Sequence, residues 1–223
     1  MARFIQQQAT KGSQKWIQIL VNQKQGFLNQ QIRTSLSIPV NEVINWLSPL
    51  AEFNYAEYKD QEFLNALEIE PVKIKLCDFW PRSGPRWDAL AKSSSGKLFL
   101  VEAKSHITEL ISDFKGTNQN SIDKIEKSLR ATKRRFGVRE RYDWTKTFYQ
   151  YANRLAHIHF LKENDFDAWL VNVYFWNDDE MDGPKSIDEW NGAIRLMHRC
   201  LGLREHLLSK SVVDLFIDIS EFE

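Results

Sequence analysis

At 223 residues the chain is long enough for one domain with a full core, and nothing in its length requires a second. Its 30 Lys and Arg balance 30 Asp and Glu, which excludes global basicity as a source of nucleic-acid affinity; any such surface must come from local segregation of charge. No apolar run approaches a membrane span, and the polar start from Ala2 to Gln8 lacks a signal-peptide core, so a cytoplasmic protein without a membrane partner is expected.

Residues 1–12 read as a loose polar lead-in. Ser13 is placed to cap a helix whose Trp16, Ile17, Leu20 and Val21 share one face, and Leu28, Ile32 and Leu36 continue the helical spacing in a second. Both read as cover for the core. Ser48 as cap and Pro49 in the first turn predict a third helix through Leu67, bearing Phe53, Ala56, Phe63, Leu64 and Leu67. The same run carries Glu52, Glu57, Asp60 and Glu62, most of them expected in solvent. Pro71 then opens an alternating segment, Val72, Ile74 and Leu76 against Lys73 and Lys75, expected to be an edge strand ending near Phe79.

The next segment carries the chemistry. Residues 87–91 and 98–103 flank a Ser/Gly/Lys turn and predict a β-hairpin. Leu98, Leu100, Glu102 and Lys104 share one parity, so Glu102 and Lys104 project to one side of the sheet. With the turn centred near Ser95, antiparallel pairing sets Asp88 opposite Glu102 to within a residue. Facing carboxylates destabilise a sheet unless a cation lies between them, and oxygen ligands at this spacing suit Mg²⁺ or Mn²⁺. The alternative is a strand-borne Glu102–Lys104 salt bridge with Asp88 as a loop carboxylate. It leaves three charges amid Trp87, Leu90, Leu100 and Val101 with only one pair to satisfy them.

From Asn118 to Tyr142 the chain turns basic: Lys124, Lys127, Arg130, Lys133, Arg134, Arg135, Arg139 and Arg141 stand against Asp123, Glu126 and Glu140. Ile122, Ile125, Leu129 and Phe136 mark the apolar face, so these cations are expected on the outside, in contact with phosphate. Residues 144–161 predict a crossover helix through Phe148, Tyr151, Ala152, Leu155, Ile158 and Leu161. His157 and His159 are two residues apart, which is wrong for a shared helical face and for a metal site. Residues 167–176 read as a buried strand, and 177–184 as a solvent-exposed acidic loop without EF-hand spacing. Ser186 caps a final helix through Leu203, and 212–219 closes the sheet. Cys77 and Cys200, far apart and without CxxC spacing, read as buried thiols. No glycine-rich phosphate loop occurs, which disfavours a nucleotide-driven motor.

Asp88, thirteen intervening residues and Glu102-Ala103-Lys104, set in the order helix, three-stranded meander, helix, strand, resemble the PD-(D/E)XK nuclease superfamily. Arg86-Trp87 stands where the Pro of that motif would be, with Pro85 close by, and the run from Phe79 to Asp88 resembles a bacterial group within the superfamily. The resemblance implies an α/β restriction-endonuclease-like core, αβββαβ, with a mixed central sheet flanked by helices. A single domain over 1–223 is expected, with 1–47 as a helical N-terminal extension packed on that core. It implies a metal-dependent nuclease acting on DNA, with Mg²⁺ or Mn²⁺ held by Asp88, Glu102 and the backbone carbonyl of Ala103, and Glu57 completing a second metal site. Lys104 would orient or deprotonate the attacking water. Gln150, Asn153 or Arg154 of the crossover helix would lie near the scissile phosphate, with Lys133, Arg134 and Arg135 as further nucleic-acid contacts. Two alternatives stand beside this: a catalytically silent module of the same fold that binds nucleic acid or protein, and a metal-dependent hydrolase of another phosphate ester.

Overall fold

In chain order the computed structural model, which describes residues 3–69 and 72–222, contains β1 (Arg3–Phe4), α1 (Gly12–Gln23), α2 (Gln25–Leu36), β2 (Ile44–Ser48), β3 (Glu57–Tyr58), α3 (Gln61–Ala66) and α4 (Leu76–Phe79). There follow β4 (Ala89–Ser93), β5 (Leu98–Lys104), α5 (Gln119–Arg135), α6 (Tyr149–Glu163), β6 (Ala168–Trp176), α7 (Ile187–Leu201), α8 (Glu205–Leu208) and β7 (Val212–Asp218). Five strands make one mixed sheet in the order β2-β4-β5-β6-β7, antiparallel across its first two junctions and parallel across the last two. β1 and β3 form a separate antiparallel pair. No helix among the described residues is long and apolar enough to cross a membrane.

The central strands explain the layering. β5 is buried at all of its positions, as a strand covered on both faces must be, and β6 at most of its own; both accordingly read as near-continuous apolar runs. One face, through Ala91, Phe99, Val101, Val171 and Val173, packs against Trp16, Leu20, Leu28 and Ile32 of α1 and α2. The opposite face, through Leu90, Leu98, Leu100, Leu170 and Tyr174, packs against α5, α6 and α7. Because strand side chains alternate, Glu102 and Lys104 are carried into the α6 layer with Leu98 and Leu100.

Several expectations are corrected. The first sheet strand is β2 rather than the segment after Pro71, so residues 44–47 of the expected helical extension belong to the sheet. Ile44, Trp46 and Ser48 are buried and Asn45 is exposed, the alternation of an edge strand. Pro71 lies outside the described residues, Ile74 is exposed, and Leu76–Phe79 is a single helical turn. The expected helix from Ser48 to Leu67 is interrupted because Asn54, Tyr55 and Asp60 adopt φ of 52°, 49° and 52°, outside any right-handed helix; only α3 is α-helical there. Ser13 is not a cap. It sits inside the first turn of α1 and donates to Glu109 Oε2 at 3.0 Å.

The lead-in is not loose, since Arg3 and Phe4 pair with Tyr58 and Glu57. α6 begins at Tyr149 rather than Trp144, after Phe148 pairs with Ser112. Cys77 and Cys200 are both free and exposed rather than buried. The acidic loop is solvated at Asp179, Glu180 and Asp182, but Gly183 and Pro184 are buried, and Asp178 is 1% exposed and accepts a hydrogen bond from Trp16 Nε1 at 2.9 Å. That bond ties α1 to the loop after β6. Trp16→Phe removes the donor and leaves a buried carboxylate short of a partner, so stability should fall by about 1–3 kcal/mol in urea denaturation.

Candidate active site

The hairpin forms with the register its turn dictates: Ala89 pairs with Val101, Leu90 with Leu100 and Lys92 with Leu98. Gly96, at φ +89°, closes the turn in a conformation that favours glycine. One step beyond Ala89 the strand gives way, and Asp88 N–H still donates to Val101 O at 3.2 Å. The Asp88 side chain turns back to the sheet and accepts the Ala103 N–H on Oδ2 at 2.8 Å. A strand residue's N–H and C=O leave on the same edge, so the Ala103 carbonyl also faces Asp88, beyond the end of β4.

Glu102 lies at the centre. Lys104 Nζ donates to its Oε1 at 2.5 Å and Arg154 Nε to its Oε2 at 2.5 Å. These three residues are 5–7% exposed, so one carboxylate holds two cations in a buried setting. Arg154 also donates to the Arg86 carbonyl at 2.9 Å, and its guanidinium lies 5.0 Å from the Trp87 ring centroid. α6 is thereby tied to the backbone that enters at Asp88. Burial raises the carboxyl of Glu102, but Arg154 and Lys104 outweigh it and hold the group below its usual range. Burial depresses the Lys104 amine, and the charges of Glu102 and Asp88 reverse this and hold it above its usual value.

Asp88 is the uncompensated member. It forms no salt bridge among the described residues, and burial, then the charge of Glu102, push its carboxyl up to about 8. Glu57 is also close enough to contribute to that rise. It stands on β3 instead of the expected helix, brought there by the bridge between Tyr58 and Trp87. Gln6 Nε2 donates to Glu57 Oε1 at 2.9 Å and Arg86 Nε lies 3.7 Å from Oε2. Burial raises the Glu57 carboxyl despite these partners.

Of the crossover-helix candidates, Arg154 and Gln150 reach the site. With Glu102, Lys104, Tyr151 and Asn172 they line a small buried cavity. Asn153 faces elsewhere, and its carbonyl bonds His157 Nδ1 at 2.9 Å. His157 is enclosed by Phe63, Phe79, Trp80 and Trp87, and burial pushes it down to about 3, a neutral core imidazole. Lys133 is not available to phosphate. It is buried, and its ammonium donates to the Tyr142 carbonyl. Arg135 pairs with Glu163 at 3.1 Å, at the far end of α6 from Arg154, about 13 Å along the helix axis. Exposed Arg134 lies beside it.

Asn172 and Asp214 were not anticipated. Glu102, Asn172 and Asp214 are in register across β5, β6 and β7, and Asn172 Nδ2 donates to Asp214 Oδ1 at 2.7 Å. Burial pushes Asp214 up to about 6. The available signal was a lone Asn in an otherwise apolar strand.

Comparison of the chain with protein-family models, with characterised proteins and with solved structures finds no match. The chemistry therefore rests on the side chains themselves. Among the described residues no group of three or more His, Cys, Asp or Glu is arranged to hold a metal ion. The smaller set of Asp88, Glu102 and the Ala103 carbonyl fits Mg²⁺, which is ordinarily held by one or two carboxylates with the rest of its shell from water and substrate phosphate. The placement of Asp88 favours this: its carboxylate has one backbone N–H and no salt bridge among the described residues, and a cation there would offset first its burial and then the charge of Glu102.

Two outcomes follow. The folded chain keeps a proton on Asp88 that the unfolded chain releases, so apo stability falls as pH rises from about 4 towards 8. Asp88→Asn keeps the acceptor for Ala103 and removes that loss. In metal-free buffer it should melt close to wild type near pH 4 and increasingly above it as the pH rises to 9, by about 2–4 °C per kcal/mol of the loss avoided. Glu102→Gln does the opposite, because it strands two buried cations. It should cost about 3–5 kcal/mol in chemical denaturation, which makes Asp88 the cleaner probe of function.

Proposed function

We propose that this chain is a Mg²⁺- or Mn²⁺-dependent nuclease that hydrolyses phosphodiester bonds of DNA on a restriction-endonuclease-like core. The observation that carries the reading is the meeting of Asp88, Glu102 and Lys104 at the carboxyl end of β5, with one carboxylate lacking a cation of its own. Elements α2, β2, β4, β5, α6 and β6 follow in that order, with β3, α3 and α4 inserted before β4 and α5 before α6, and β4 is antiparallel to its neighbours, which supports the same fold.

In this proposal Asp88, Glu102 and the Ala103 carbonyl hold the metal, which when bound supplies Lewis acidity to the phosphate and lowers the pKa of the attacking water. Lys104, kept protonated by Glu102 and Asp88, donates hydrogen bonds to the water and to the oxygens on which negative charge grows. Arg154 fixes the carboxylate of Glu102 and the backbone at Arg86, so the two ligand-bearing strands keep their spacing. Gln150, on the cavity wall, is placed to touch the substrate. Water oxygen bonds to phosphorus and gives up a proton to solvent as the P–O bond to the leaving group breaks, and the leaving oxygen takes up a proton from solvent.

One observation favours a second reading, a non-cutting nucleic-acid-binding module: both oxygens of Glu102 are already satisfied by cations. Plasmid cleavage in Mg²⁺ or Mn²⁺ separates the two. Asp88→Ala and Lys104→Ala should each lower the rate by about 10²-fold or more. Asp88→Ala should also lose the Mn²⁺-induced rise in melting temperature, whereas Lys104→Ala should retain or increase it. A wild type that shows neither a metal-dependent shift nor cleavage leaves the binding module standing.

A further inference from the structure

A concentration of charge outside the candidate active site lies at the C-terminal end of α7. Arg195 and Arg199 are one turn apart on that helix, Arg204 follows its end, and Arg139 and Arg141 come from the loop after α5. Together they wall two adjoining clefts of about 600 Å³ and about 260 Å³, which share Arg199, Leu203 and Arg204. All five guanidinium side chains belong to exposed residues, and none is ion-paired among the described residues.

The fold builds this arrangement. Gly202, at φ +70°, ends α7, and a Cβ there would collide with the Tyr142 ring, so this glycine both stops the helix and admits the loop. Trp144 Nε1 then donates to the Leu201 carbonyl at 2.8 Å and pins the loop in place. Arg141 lies over the Tyr142 ring, 5.2 Å from its centroid. Arg139, Arg141 and Arg199 line one cleft with Tyr142, whose hydroxyl is drawn below its ordinary range first by the hydrogen bond and charge of Arg141, then by Arg139 and Arg199. Segregation is marked. Glu205 is the one acid on the walls of the two clefts, and Glu126, Glu140 and Asp143 stand in a third cleft with Lys133 that meets the smaller one at Arg141 and Tyr142.

We propose that this arginine cleft binds the phosphate backbone of a nucleic acid. Unpaired like charges repel, and in a chain with no net charge nothing in the composition forces five arginines together. A guanidinium presents a planar fork that matches phosphate in two hydrogen bonds. One or two such groups hold a small anion; five spread over two open, connected clefts suit a ligand with phosphates in series. The cleft also adjoins the candidate active site: His198 lines the larger cleft, and its Nε2 lies 3.1 Å from the hydroxyl of Tyr151, which lines the cavity beside Glu102 and Lys104. The proposal shares its nucleic-acid partner with the nuclease reading but needs no cleavage.

The test is fluorescence anisotropy of a labelled duplex in EDTA over about 50–200 mM salt, with single-stranded DNA, RNA and heparin as further arms. Arg195→Ala/Arg199→Ala/Arg204→Ala should bind duplex at least tenfold more weakly near 100 mM salt. Its log–log salt slope should flatten by about 0.9 for each phosphate contact removed. Arg139→Ala/Arg141→Ala should show the same trend, and lysine at all five positions should restore most of the slope. A charge-matched control on the α1 and α2 layer, Lys11→Ala/Lys24→Ala, should change the slope little, and circular dichroism melts should show each variant folded. An unchanged affinity and slope in the triple variant, or a wild type that binds heparin and no nucleic acid, overturns the proposal. Binding that depends on the cleft in a protein that cuts nothing supports the cleft and removes the nuclease reading alone.

Discussion

The buried cluster of Glu102 with Lys104 and Arg154 is the constraint on which the rest depends. Removing three charges from water costs several kcal/mol for each ion, and only close, fully hydrogen-bonded geometry offsets this. That geometry requires β5 in the middle of the sheet, α6 seated across it, and the Trp87 backbone near enough for Arg154 to reach the Arg86 carbonyl. Helix, strand and incoming loop are therefore fixed relative to one another by polar contacts as well as by the apolar layer around Leu100 and Leu155. The cluster also explains why Asp88 is left short: two cations are spent on one carboxylate, and the neighbouring one receives a single backbone N–H.

What could be read in the sequence was local. Alternation in 98–104 and a Ser/Gly turn are enough to set a hairpin register, so the nearness of Asp88 to Glu102 and the shared face of Glu102 and Lys104 were both legible. The periodic helices α1, α2 and α7 and the apolar strands β6 and β7 were legible for the same reason. β2 was not, because its partner lies far along the chain: Ile44 pairs with Ser93. Residues 72–76 show the same alternation but no sheet edge receives them. Burial in those two segments differs through tertiary pairing, which a local pattern does not encode.

The candidate site was legible in part and for unequal reasons. Arg154 could be placed on the right helix, but its choice of Glu102 over phosphate depends on packing between distant elements. Lys133 is a different case. It falls four residues after Leu129 and three before Phe136, on the apolar stripe of α5, so its spacing already placed it inside while its charge suggested the outside. The arginine cleft could not be seen from either parent segment alone. Arg139 and Arg141 look like the tail of one basic run, Arg195 and Arg199 like an ordinary solvated helix face, and only the seat that Gly202 gives to Tyr142 brings them together.

The row of Glu102, Asn172 and Asp214 across three parallel strands has a consequence for assembly of the sheet. Strands made of Val, Leu, Phe and Ala are nearly interchangeable with their own shifted copies, since hydrocarbon packs on hydrocarbon at many offsets. A slip of β6 by one residue would turn Asn172 onto the face lined by α1 and α2, where Val171 and Val173 now sit. A slip by two would set it beside Leu100 or Lys104 and separate it from Asp214. Asn172 finds Asp214 in a single alignment, so the pair works as a key that is cut for one position of the lock and marks every neighbouring alignment of β6 with β7 as wrong by the cost of an unpaired buried group.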